Sequence, residues 1–287
     1  IYTTFGGLQS VITADVIQFV VLAVGMPVLL IMGLWQAGGI VPVTQAIPPA
    51  YWNPLNGRTG AEFVSLFLTM AVGEALAPPY TQRLLIGKSA RQTARATVLS
   101  GLFSVPFFLV TGGIGLVAYA LQVTTEPATA MPAMILTVLP IGLRGVIMAA
   151  MVSIILSAAD GFLNSASIGL VWDTILPLRP RISDRQQLRL LRIVNLTTGL
   201  SAMVLAFLLP SIFDILVLAY SFWCPLILIP LGAAFLGVKT DRRAFRNAVL
   251  VGLVLTTLWN FVLQKPWGID GGVVGMIGNF LVFTACT

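Results

Sequence analysis

Three carboxylates stand where their neighbours are almost all apolar: Asp15, Glu74 and Asp160. A charged side chain at the centre of a bilayer costs about 2.5–3.5 kcal/mol on insertion scales. Such acids therefore face a bundle interior, a cation or a water-filled path, and they mark function by default. Around Asp160, in the segment MVSIILSAADGFLNSASIGLVWD (151–173), Ser153, Ser157, Asp160 and Asn164 follow one another at spacings of 4, 3 and 4. Residues three and four apart share a helix face, so these four form one polar stripe. Ser157 is also four residues from Gly161, which gathers a hydroxyl, a carboxylate and exposed backbone in one place. Hard cations take oxygen ligands of this kind, and sodium, with one charge, is satisfied by neutral oxygens plus a single carboxylate. The plainer reading is a protonated acid bonded between helices, with small residues letting helices approach closely. Close packing explains Ser165, Ala166 and Ser167 but not Asp160, for which the protonated acid is the alternative.

Glu74 lies in AVGEALAPPYTQRLL (71–85), four and five residues before Pro78 and Pro79. Two prolines remove two backbone donors and disfavour the helical state of the residue before each. A helix broken near the midplane frees backbone groups to coordinate ions or polar solutes, as discontinuous transporter helices do. A proline kink without a ligand is the alternative. Pro106 and the TGGIG run at 111–115 are weaker versions of the same pattern and read as packing.

The elements that must position these residues are membrane helices. The chain is 57% hydrophobic and 9% charged, with a mean hydropathy of +0.97, against roughly 25% charged residues in soluble domains. A crossing helix needs about 20 mostly apolar residues. Scanning at that length gives eight spans, roughly 14–35, 62–86, 96–121, 143–172, 192–210, 212–237, 246–264 and 271–287. The short apolar segment between Met131 and Pro140, bounded by prolines, is expected to be a surface or re-entrant helix. In the Pro/Gly-rich loop 36–61, Tyr51 and Trp52 are expected as interfacial anchors.

The net charge of +6 suggests a nucleic-acid partner until its distribution is examined. Thirteen of the sixteen basic residues fall after spans two, four and six, leaving Arg58, Arg144 and Lys265 on the other side. By the positive-inside rule the loops near 87–95, 174–191 and 238–246 face the cytoplasm of an inner (cytoplasmic) membrane. The charge is thus topological, the partner is the lipid bilayer, and no nucleic acid is expected.

There is no histidine, no G-x-S-x-G nucleophile motif and no clustered metal-ligand pattern. These absences argue against an enzyme and against an organic cofactor. Cys224 and Cys286 sit in apolar runs and read as packing thiols. The chain starts at Ile1 and stops inside the apolar run FLVFTACT, so a piece truncated at both ends is expected.

Three segments resemble the sodium:solute symporter family: GGLQSVITADVIQ (6–18), YTQRLLIGKSARQTAR (80–95) and, most specifically, GLRGVIMAAMVSIILSAADGFLNSASI (142–168). AYSFWCPLILIP (219–230) looks like the family's tenth core helix. The resemblance runs over essentially all 287 residues. It implies an all-α membrane protein with a LeuT-type inverted-repeat core and a single symporter domain over 1–287. Residues 1–35 would be the last helix of the first repeat, 62–237 the second repeat and 246–287 accessory helices. The first four core helices would lie outside the chain.

The resemblance also implies site residues. The family's main sodium site takes a carbonyl that falls at Ile154 and hydroxyls that fall at Ser157 and Ala158, so one hydroxyl is missing here. Asp160 stands where many members carry a hydroxyl. Some members hold a further sodium between this helix and an acid that aligns with Asp15. Nearby acids raise each other's pKa when no cation is present, so sodium and a proton compete at such a place. A weaker site, one reorganised around Asp160, and proton coupling all stay open. The cation zone is then Ile154, Ser157, Asp160, Gly161 and Asp15, and the implied activity is sodium-coupled symport of a small organic solute such as an amino acid or organic acid. Solute contacts are expected from Glu74, which suits an ammonium group, and from Tyr80, Tyr220, Phe222 and Trp223. The other class is a sensor, since symporter-like modules are sometimes fused to a C-terminal histidine-kinase region.

Overall fold

The computed structural model describes the backbone of residues 2–55, 57–85, 87–179, 182–208, 211–239 and 241–286, with side chains from residue 15 onward apart from 83 and 85. Among these, six helices are long and apolar enough to cross a bilayer: Asp15–Gln36, Ala90–Ala120, Ile141–Leu178, Asp184–Leu208, Ile212–Phe235 and Arg242–Val262. The expected span 62–86 is two pieces, α3 (Gly60–Ala75) and α4 (Pro78–Leu85), and the span from 271 is a 16-residue helix. The chain divides into two compact units, residues 1–54 with 87–162 and residues 55–86 with 163–287.

The first unit contains α1 (Tyr2–Gln36), α2 (Ile40–Ala46), α5 (Ala90–Ala120), α6 (Ala130–Val138) and most of α7 (Ile141–Ile168). α5 starts where the Ser89 side chain accepts the Gln92 amide, which satisfies one of the orphan donors of the first turn. The core forms where Leu22, Met26 and Leu29 of α1 meet Ile114 and Val117 of α5 and Ile147 of α7. Of the surface or re-entrant helix expected at α6, the structure rules against the surface alternative. Met134, Ile135 and Val138 are buried in this core, as suits a helix that is apolar almost all round. Tyr51 and Trp52 are exposed, and the Tyr51 ring lies 5.6 Å from that of Tyr119.

The second unit contains α3 (Gly60–Ala75), α4 (Pro78–Leu85), the end of α7 with a wide-turn continuation (Gly169–Ile175), the closing turn α8 (Leu176–Leu178), α9 (Asp184–Leu208), α10 (Ile212–Phe235), α11 (Arg242–Thr257) and α12 (Gly271–Cys286). α3 opens on a capping box, in which the Thr59 side chain accepts from the Glu62 amide and the Glu62 carboxylate accepts from the Thr59 amide. Tyr220 and Cys224 of α10 pack with Met276 of α12 and Met70 of α3. Asn279 of α12, fully buried, donates to the Pro225 carbonyl of α10 at 2.6 Å. Between α11 and α12 the segment QKPWG (264–268) holds three non-glycine residues at positive φ, Gln264, Lys265 and Trp267. Each such residue costs on the order of 1–3 kcal/mol and persists only where its surroundings over-determine it.

Candidate functional site

Each unit carries one polar pairing made by residues that the sequence singles out. In the first unit the Ser157 hydroxyl of α7 donates to the Asp15 carboxylate of α1. Ser157 is buried and Asp15 half-buried. Asp160 and Gly161, three and four residues further along α7, are both half-buried, whereas Asn164 is exposed. Ile154 packs its side chain against the core of the same unit, which leaves its backbone as its only polar contribution. Ala158 is exposed and offers no oxygen beyond its own backbone. Asp15 and Ser157 together present carboxylate and hydroxyl oxygens, the donor set a hard monovalent cation takes.

In the second unit the break between α3 and α4 organises the site. An unbroken helix would satisfy the carbonyls of Glu74 and Ala75 with the amides of residues 78 and 79, and both are prolines without an N–H. The chain leaves the helix at Leu76 and Ala77. The Ala77 amide turns back to the Glu74 carbonyl at 3.2 Å, and the Tyr80 amide donates to the Ala77 carbonyl at 3.0 Å. The Leu76 carbonyl accepts from the Trp223 indole N–H of α10 at 2.9 Å. One turn before Trp223, the buried Tyr220 hydroxyl donates to the Glu74 carboxylate. This approach depends on Gly73, because a β-carbon there would lie 2.3 Å from the Tyr220 ring.

Three of the five expected solute contacts, Glu74, Tyr220 and Trp223, are thus drawn together at the break. Phe222 turns elsewhere and stacks on Phe261 with ring centroids 6.2 Å apart. Tyr80, on α4, is 41% exposed. Two features escaped the sequence reading. Ser165, read there as a packing residue, donates to Gln82 of α4 at 3.0 Å. Asp270, one residue before the last apolar run, is buried and accepts from Ser221 of α10 at 2.6 Å. Its position just outside a span boundary hid it, although an acid beside the strained KPWG turn was a visible signal.

The sequence model described as the sodium:solute symporter family matches residues 1–243. The chain belongs to the sodium:solute symporter family. The sodium/sialic acid symporter NanT of Aliivibrio fischeri is 24% identical over 98% of this chain and 60% of its own length. The sodium/glucose cotransporter 4 of Danio rerio is 24% identical over 99% of this chain and 47% of its own. A solved structure of a Na+-coupled sialic acid symporter, in a substrate-bound outward-open state described as revealing a novel Na+ site, covers 99% of this chain and 64% of its own. The TM-score is 0.71 at 22% identity. That likeness establishes the fold, so the expected LeuT-type all-α membrane architecture holds. This symporter-family chain spans about 60% of the length of the sialic acid symporter it matches. It is a multi-pass membrane protein, and its relatives are transporters and not enzymes.

Proposed function

We propose that the protein of which this chain forms the described part carries out sodium-coupled symport of a small organic solute across the cytoplasmic membrane. The single observation that carries this reading is the bond between Ser157 and Asp15, which joins an acid and a hydroxyl from two membrane helices in a member of a sodium-coupled family. In this reading Asp15, Ser157, Asp160, Gly161 and the Ile154 carbonyl form the zone where sodium, as a transported ion, exchanges for the Ser157 hydroxyl on Asp15. A proton is the competing passenger. The break between α3 and α4 is the solute zone, with Glu74, Tyr220 and Trp223 fixed in place and Tyr80 at its margin, while Phe222, stacked on Phe261, stands away from it. Residues 1–35 close the first repeat, 62–237 form the second, and the loops near 87–95, 174–191 and 238–246 lie inside. The sodium gradient, together with about 2.3 kcal/mol per charge per 100 mV of membrane potential, drives uptake.

The test is the unfolding midpoint of the intact protein in sodium against potassium, with native Asp15 and Asp160, with Asp15→Asn and with Asp160→Asn. A sodium-specific rise lost in Asp15→Asn supports the site. An equal midpoint in both salts at every pH refutes sodium binding there, and a rise that follows acidity instead assigns the site to a proton. Uptake into proteoliposomes of radiolabelled sialic acid, glucose, myo-inositol and proline then addresses the solute. Stabilisation by one of these without uptake would favour the sensor with its kinase partner.

A further inference from the structure

Among the described residues Asp270 is the one acid buried to 4% exposure, and neither the cation zone nor the helix break uses it. Its contacts come from three directions. One carboxylate oxygen accepts from the Ser221 hydroxyl of α10 at 2.6 Å, from the Gly272 amide at 2.9 Å and from the Thr69 hydroxyl of α3 at 3.4 Å. The other receives the Lys265 ammonium at 3.1 Å. Its own amide donates to the Ser65 hydroxyl of α3 at 2.7 Å. Ser65 and Thr69 are one turn apart on α3, and both are buried. Ser221 directly follows Tyr220, and Thr69 lies five residues before Glu74.

We propose that Asp270 is a positioning residue for the solute zone: it ties α3 to α10 so that Glu74 meets Tyr220 and Leu76 meets Trp223. An apolar side chain could fill this space. A carboxylate with donors from separate segments does something more, because its bonds are met in one register of α3 against α10 only. The positive-φ turn at 264–268 serves the same end, since it carries Lys265 back to neutralise the acid. A bound metal ion is not needed to balance the charge. The clamp has a built-in reporter. Cys224, fully buried on α10, donates its thiol to the Thr69 carbonyl of α3 at 3.3 Å, whereas Cys286 is exposed.

The inference rests on the solute zone proposed above, and its test separates the two. In the intact protein, Asp270→Ala, Asp270→Asn and Lys265→Met are treated with N-ethylmaleimide and mapped by mass spectrometry. In parallel, KM and kcat are measured for the solute of the uptake panel that the intact protein carries. Labelling of Cys224 is expected to rise at least tenfold in Asp270→Ala and less in Asp270→Asn, whose amide oxygen still accepts from Ser221 and Gly272. Cys286 should label equally in all. KM should rise at least fivefold while kcat per reconstituted molecule changes less than threefold. If no panel solute is carried, Cys224 labelling alone decides the clamp. Unchanged Cys224 labelling in a folded Asp270→Ala protein overturns it. If that variant does not fold, unchanged labelling in both Asp270→Asn and Lys265→Met does so. A fall in kcat with KM unchanged also overturns it, because it marks a merely structural acid.

Discussion

The two units each join an acid to a hydroxyl on another helix, with different partners. Asp15 receives its bond from Ser157, a small side chain with one torsion and a rotatable hydroxyl. Glu74 receives its bond from Tyr220, whose ring is 5% exposed and seated over Gly73. In the proposed function the serine turns away by its one torsion and sodium takes its place on Asp15. A buried phenol has no such single-torsion exit, so Tyr220 holds Glu74 at the helix break, which the proposed function makes the solute zone. The difference teaches that a polar pair's function depends less on the bond than on how tightly packing holds the donor.

The largest effect should come from breaking that tightness directly. In Gly73→Ala the new β-carbon would sit within 2.6 Å of three atoms of Tyr220, and the buried ring has nowhere to retreat. Overpacking of this kind costs about 3 kcal/mol, the upper end of its usual range, or about 6–12 °C of midpoint at this size. The matched change in the first unit is Gly113→Ala, whose β-carbon would meet the flexible end of Leu30 at 3.2 Å. Its midpoint should move by no more than about 4 °C, the scale of 1 kcal/mol. Equal losses in thermal unfolding would show that the Tyr220 ring yields as readily as the Leu30 side chain, and the rigidity ascribed to the Glu74 pair would fall.

A smaller but more selective effect should follow from removing each charge while keeping its shape. Asp15→Asn is expected to raise the sodium concentration for half-maximal uptake by about tenfold, or 1.4 kcal/mol, with solute KM nearly unchanged. Glu74→Gln should do the reverse. Uptake measured across both concentrations checks this crossing pattern. If both variants shift sodium and solute together, the two pairs belong to one coupled event and the comparison must be recast.

Much of this arrangement could be read from residue order, because it depends on local chemistry. Pro78 and Pro79 lack amides wherever they fold, so the break after Ala75 followed from two letters. The stripe Ser153, Ser157, Asp160 and Asn164 followed from helical period, although burial and the bond to Asp15 single out Ser157. What could not be read was partnership. Glu74 and Tyr220 were both candidates, yet 146 residues separate them, and no local pattern says that they bond. Phe222 and Trp223 are adjacent, but only Trp223 points to the break. Asp270 was hidden because its hydrogen-bond partners at 65, 69, 221 and 265 converge only in three dimensions. For α6, shortness and flanking prolines left surface and re-entrant placements open, and its nearly uniform apolar surface is what buries it.

The smallest predicted effect sharpens the comparison from within the second unit. Ser165 was expected to be a small residue that eases packing, and the structure shows it bonded to Gln82 on α4, just past the break. These roles differ in what Ser165→Ala removes, because alanine keeps the small volume and loses the hydroxyl. If volume is what matters, the variant is neutral. If the bond secures α4, stability falls by about 0.6 kcal/mol, the typical worth of a side-chain hydrogen bond between membrane helices. A double-mutant cycle with Gln82→Ala isolates the pairwise part. Coupling near that value would make Ser165 a second tether beside Tyr220 and Trp223, holding the far side of the break as they hold the near side. Zero coupling would return Ser165 to packing, and the rigidity of the solute zone would then rest on α3 and α10 alone.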